Sequence, residues 1–94
     1  MIARVAKFNA GRDDLGLDRS EWLIEALREL PGVTALYHGV AADGSAVSIT
    51  IFDDPEAAEK AGPLVDAARQ RLGLGVAPAD DIAVYEVVGA LERP

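Results

Sequence analysis

The sequence predicts an α+β domain with the element order β-α-β-β-α-β, the ferredoxin-like arrangement of a four-stranded antiparallel sheet with two helices on one face. Three observations predict it. Four short stretches have the apolar alternation of strands. Two longer stretches repeat apolar residues at helical spacing. Asp43-Gly44 joins the second and third strands as a tight hairpin. Right-handed crossovers then set the strand order as 4-1-3-2.

Residues 1–9 form the first strand. Ile2, Arg4, Ala6 and Phe8 share one face, and Ala3, Val5 and Lys7 share the other. Asn9 to Asp14 is a loop rich in turn residues. Residues 18–30 form the first helix, with Asp18 or Ser20 as its cap and Glu21 in its first turn. Leu23, Ala26, Leu27 and Leu30 fall on one helical face, and Pro31-Gly32 stops the helix.

Residues 33–41 form the second strand and Ala42 to Ser45 the turn. The third strand, Ala46 to Phe52, alternates cleanly between Val47, Ile49 and Ile51 on one face and Ser48, Thr50 and Phe52 on the other. Asp53-Asp54-Pro55-Glu56 opens the second helix, an acidic cap with proline at the first helical position. Ala57, Ala61, Leu64, Val65, Ala68 and Leu72 make its apolar stripe. Gly62-Pro63 predicts a short helical segment, a kink or break, and a longer segment to about Leu72. Gly73 to Asp81 is a loop, and residues 82–88 are the last strand.

Length and composition bound the function classes. The chain of 94 residues is one domain, residues 1–94. A chain this short buries about two-thirds of the surface that its unfolded form exposes, so its core is thin and a second copy would thicken it. The formal net charge of -7 opposes binding to nucleic acid and to anionic membranes. The absence of cysteine excludes a disulfide framework, a thiolate metal site and a cysteine nucleophile. No signal-peptide pattern opens the sequence, and no apolar run approaches the roughly 20 residues of a membrane span, so a cytoplasmic location is expected.

The sheet parity suggests where a site would lie. If Val47, Ile49 and Ile51 point at the helices, then Ser48, Thr50 and Phe52 face away on an open sheet face. Arg4, His38 and Glu86 are the residues of their strands least suited to burial, so they are expected on that open face too. A half-buried cavity with a cation, a carboxylate and an imidazole suits a small polar aromatic ligand. The plainer reading stays open beside this one. Arg4 and Glu86 can be an ordinary cross-strand ion pair, and His38 a structural or interface residue. Asn9 reads as turn chemistry, Trp22 as packing, and Tyr37 and Tyr85 as core or interface aromatics.

Other chemistry finds no support in the residues. Gly73-Leu74-Gly75 follows a helix instead of preceding one, so it is no phosphate loop. A single histidine makes no metal cluster. Asp13-Asp14, Asp53-Asp54 and Asp80-Asp81 sit at element boundaries and read as turn and capping residues.

Leu30-Pro31-Gly32-Val33 and the stretch from Val47 to Ala58 resemble the dimeric α+β barrel superfamily, above all its antibiotic-biosynthesis-monooxygenase-like domains. The resemblance covers nearly the whole chain in element order. It implies a homodimer whose sheets close into a barrel, with a ligand pocket between each sheet and its helices or within the barrel. It also implies oxygenation of aromatic polyketides or degradation of haem, often without a metal or bound flavin, so no cofactor is expected. The chain departs from the pattern at Phe52, where tryptophan is common, and at Glu59-Lys60-Ala61, where a histidine is common. Two readings follow. In the first, Arg4, His38, Ser48, Thr50, Phe52 and Glu86 line a pocket for a small aromatic ligand, with His38 as general base. In the second, the chain is a non-catalytic dimeric module that binds a ligand or a protein partner.

Overall fold

A computed structural model describes residues 1–11, 20–73 and 79–93. The elements run β1 (Ile2–Phe8), α1 (Ser20–Leu27), β2 (Val33–Val40), β3 (Ala46–Phe52), α2 (Pro55–Arg71) and β4 (Asp81–Glu86). The sheet order is β2-β3-β1-β4, the predicted 4-1-3-2 order read from the other edge, with every pairing antiparallel. The capping role expected of Asp18, and the reading of Asp13-Asp14, fall outside the described residues.

Local chemistry accounts for the joints. At the hairpin, Asp43 Oδ1 accepts hydrogen bonds from the Ser45 N–H at 2.8 Å and the Ser45 hydroxyl at 2.6 Å. Gly44, at φ +88°, closes the turn in a conformation that a side chain would strain. The entry to β2 depends on Gly32, also at φ +88°: a Cβ there would lie 2.8 Å from the Ala57 Cβ. Asp54 caps α2 by accepting the Ala57 N–H at 2.7 Å, with Pro55 at the first helical position. Asp53 accepts a hydrogen bond from the Thr34 hydroxyl, and Asp80 accepts one from the Asn9 N–H at 2.7 Å. The Asp53-Asp54 and Asp80-Asp81 pairs therefore sit at element boundaries as their positions predict.

The second helix corrects one expectation. It runs unbroken from Pro55 to Arg71 with Pro63 inside it. Gly62 makes this possible, because the clash that drives a pre-proline residue out of helical geometry involves its Cβ. Pro63 itself is exposed, so the Glu59 carbonyl that loses its helical donor lies on the solvent side.

The core corrects a second expectation, the sheet parity. Ile2, Leu23, Leu27, Phe52, Ala61, Val65 and Ala68 form one buried cluster joining both helices to the sheet. Phe52, Leu23 and Val65 are its fully buried side chains. The helices therefore cover the face that carries Phe52, Thr50 and Ser48. Val47, Ile49 and Ile51 lie on the uncovered face with Val5, Tyr37 and Tyr85. The physical reason lies in β3. It is an inner strand with one purely aliphatic face, and alternation alone cannot tell which face the helices take. Phe52 decides it, because with Ile2 it fills the space between Leu23, Leu27 and Val65.

Candidate functional site

The helix-covered face carries an unusual load of polar groups. Ser48 and Thr50 on β3 are each 3% exposed. In the ladder, Thr50 stands opposite Arg4 of β1, and Ser48 stands opposite His38 of β2. Helix α2 brings two charged residues down on this row. Asp66 accepts two hydrogen bonds from the Arg4 guanidinium, at 3.0 and 3.2 Å. Arg69 donates to the Ser48 hydroxyl at 3.0 Å, and its guanidinium carbon lies 5.9 Å from the centre of the Phe8 ring.

The electrostatics follow from burial and from the second cation. Burial lowers the pKa of His38, and the positive charge of Arg69 lowers it further. The imidazole, whose Nε2 is shielded from solvent, is thus held neutral at pH 7. Burial also lowers the pKa of Arg69; Asp66 opposes that fall and Arg4 adds to it. Arg69 stays protonated all the same.

A cavity of about 340 Å³ adjoins the Arg4–Asp66 pair. Its apolar walls come from Ile2, Phe52, Ala58, Pro63 and Val84, with Gly62 between them on α2. A Cβ added at Gly62 would meet nothing within 4 Å, so the glycine leaves this space open. Val84, on edge strand β4, remains exposed at its side.

The structure brings together most of the predicted site residues on the face opposite to the one expected. Arg4, His38, Ser48 and Thr50 share the helix-covered face, and Phe52 is both core and cavity wall. Glu86 stands apart: it is exposed, and its ladder partner is Ile2. The ion pair expected between Arg4 and Glu86 is replaced by one between Arg4 and Asp66. Asp66 and Arg69 are the residues that sequence reasoning missed. Their signal was present: Gly62, Asp66 and Arg69 repeat at i, i+4, i+7, one step round the helix from the Ala61, Val65 and Ala68 stripe.

Among the described residues no group of three or more acidic or histidine side chains could hold a metal ion. No described helix is long and apolar enough to cross a membrane.

Comparison with solved structures establishes the fold. A protein from Deinococcus radiodurans assigned as an antibiotic biosynthesis monooxygenase aligns over 100% of this chain and 99% of its own, with a TM-score of 0.66 and 18% identity. A protein of the same assignment from Chloroflexus aurantiacus gives a TM-score of 0.67 at 19% identity, over 97% of this chain and 96% of its own. A Streptomyces coelicolor monooxygenase in complex with nanaomycin D gives 0.56 at 18% identity, over 99% of this chain and 92% of its own. The chain thus has the ferredoxin-like α+β fold of antibiotic biosynthesis monooxygenase structures, as the sequence resemblance implied. No family model matches the sequence, and no curated protein matches it.

Proposed function

From the fold shared with these monooxygenase structures, we propose that the protein is monooxygenase-like and takes a small aromatic or polyketide-like ligand between its sheet and α2. One observation carries the reading: Arg4 and Asp66, with Glu59, line an apolar-walled cavity of about 340 Å³, and Arg69, Ser48 and His38 continue the polar row on the same helix-covered face. Small-molecule sites have this character, with apolar walls, few polar groups and volumes of roughly 300–1,000 Å³.

In this reading His38 is the general base. A neutral imidazole beside a guanidinium accepts the proton of a phenolic hydroxyl, and the cation stabilises the phenolate that forms. Ser48 and Thr50 orient the ligand's oxygens, and Phe52 and Ile2 face its rings. The working unit is a homodimer joined through the uncovered sheet face. Support comes from the apolar surface there, where Tyr37 and Tyr85 are 62% and 54% exposed. The same surface favours the second reading, a non-catalytic dimeric module.

Melting with nanaomycin D, together with oxygen uptake on phenolic aromatic compounds, separates the readings. A ligand-dependent rise in Tm and uptake that His38→Ala abolishes are expected. Uptake unchanged in His38→Ala removes the base. A rise in Tm without uptake on any phenolic aromatic compound leaves the non-catalytic module. No rise in Tm overturns the pocket.

A further inference from the structure

The uncovered sheet face carries a pattern of side-chain size. The strand register sets two neighbouring rows across it, read from β2 to β4. One row is Tyr37, Ile49, Val5 and Ala83, and the next is Ala35, Ile51, Ala3 and Tyr85. Each row has a tyrosine at one edge of the sheet and an alanine at the other, and the two rows run in opposite senses. The tyrosines are exposed, and the residues between them are half-buried.

Charge and area both suit a second copy of the chain as the partner. The formal net charge is -7, yet these two rows hold no charged residue. The row beyond them adds Lys7 and Asp81, ladder partners of opposite sign. Two such faces meet without net repulsion. Four strands about 4.8 Å apart and seven residues long span roughly 450 Å² of flat sheet, and side-chain relief raises the accessible area toward the about 800 Å² per partner of a standard interface.

We propose that the second copy is turned about a two-fold axis parallel to the strands, so that Tyr37 packs on the partner's Ala83 and Tyr85 on the partner's Ala35. The inference rests on the dimer named above and fixes its orientation. The rotation lays β2 over the partner's β4 and β3 over its β1, in aligned sheet-on-sheet packing. It also sets Ile49 on the partner's Val5 and Ile51 on the partner's Ala3. A larger side chain then meets a smaller one at every position of the two rows. An axis running across the strands would set Ile49 on the partner's Ile51 and Val5 on the partner's Ala3. That crowds one point of the interface and leaves a gap at another.

Mixing two variants tests this. Tyr37→Ala leaves two alanines facing each other, and Ala83→Tyr sets two tyrosines in one place. Each variant alone should self-associate about tenfold more weakly than the natural chain, measured by light scattering over a dilution series. An equimolar mixture restores a tyrosine against an alanine at both contacts, so the mixed dimer should form within about threefold of the natural Kd. Native mass spectrometry identifies it, because the two chains differ in mass. Within one chain Tyr37 and Ala83 lie three strand spacings apart, about 14 Å, so only contact between copies can produce the recovery. The second contact repeats the test with Tyr85→Ala and Ala35→Tyr, should a variant of the first pair fail to fold. A natural chain that dimerises while neither mixture recovers overturns the orientation and leaves the dimer standing. A natural chain that stays monomeric overturns both.

Discussion

His38 shows burial and charge acting on one ring in the same direction. Both favour its neutral form, so its pKa in the folded protein lies below the ordinary 6.5. The sign of the pH dependence follows. Between the lowered folded value and 6.5 the unfolded chain binds a proton that the folded chain refuses, so stability is lost as pH falls through that window and unaffected above about pH 7.5. Urea midpoints measured at pH 5 and pH 7.5 should differ more for the natural protein than for His38→Gln; an equal difference would show that the imidazole carries no linkage. Arg4 teaches the complementary lesson about legibility. That a cation cannot be buried alone was readable from strand alternation. Its partner was not, because Asp66 lies 62 positions away and reaches it only through the packing of α2 on the sheet. Glu86, the carboxylate on a neighbouring strand, was the nearer guess, and a two-residue offset in the ladder removed it.

Helix α2 shows where local rules yield to tertiary packing. Its cap, its proline start and its apolar stripe were all legible, because each depends on residues within a turn or two of one another. The interruption expected at Gly62-Pro63 did not materialise. Ala61 and Val65, on either side of the dipeptide, are both buried against the sheet and hold the helix in line. Pro63 still removes an N–H from an exposed helical turn. Its replacement by alanine should stabilise the protein by about 2 kcal/mol, somewhat less than the full helix-interior penalty because proline also restricts the unfolded chain. Chemical denaturation reads this directly. A Pro63→Ala variant no more stable than the natural protein would mean that the helix already accommodates the missing donor at no cost. The stripe of Gly62, Asp66 and Arg69 escaped notice for a different reason. Polar residues bordering an apolar stripe usually face water, and only the polar row on the sheet beneath turns these inward.

For the molecule as a whole, topology was readable and the choice of sheet face was not. Strand order follows from element order and the handedness of crossovers. Which face the helices cover depends on how Phe52 and Ile2 fit Leu23, Leu27 and Val65, a matter of shape that alternation does not encode. Arg4, His38, Ser48, Thr50 and Phe52 still share one face after the inversion, because residues of like parity on paired strands stay together whichever face they occupy. The inversion moves Val5, Ile49 and Ile51 to the outside, and with them the proposed dimer surface. Light scattering should give a mass near twice 9.9 kDa, and Ile49→Lys, which sets a charge opposite Val5 and Tyr37, should halve it. Hydrophobic surface left outside a thin core has a thermodynamic consequence. For a chain that completes its burial on a second copy, folding and association are a single equilibrium, and stability becomes a function of how much protein is present. Dilution alone, with temperature and solvent unchanged, would then shift the population toward the unfolded chain.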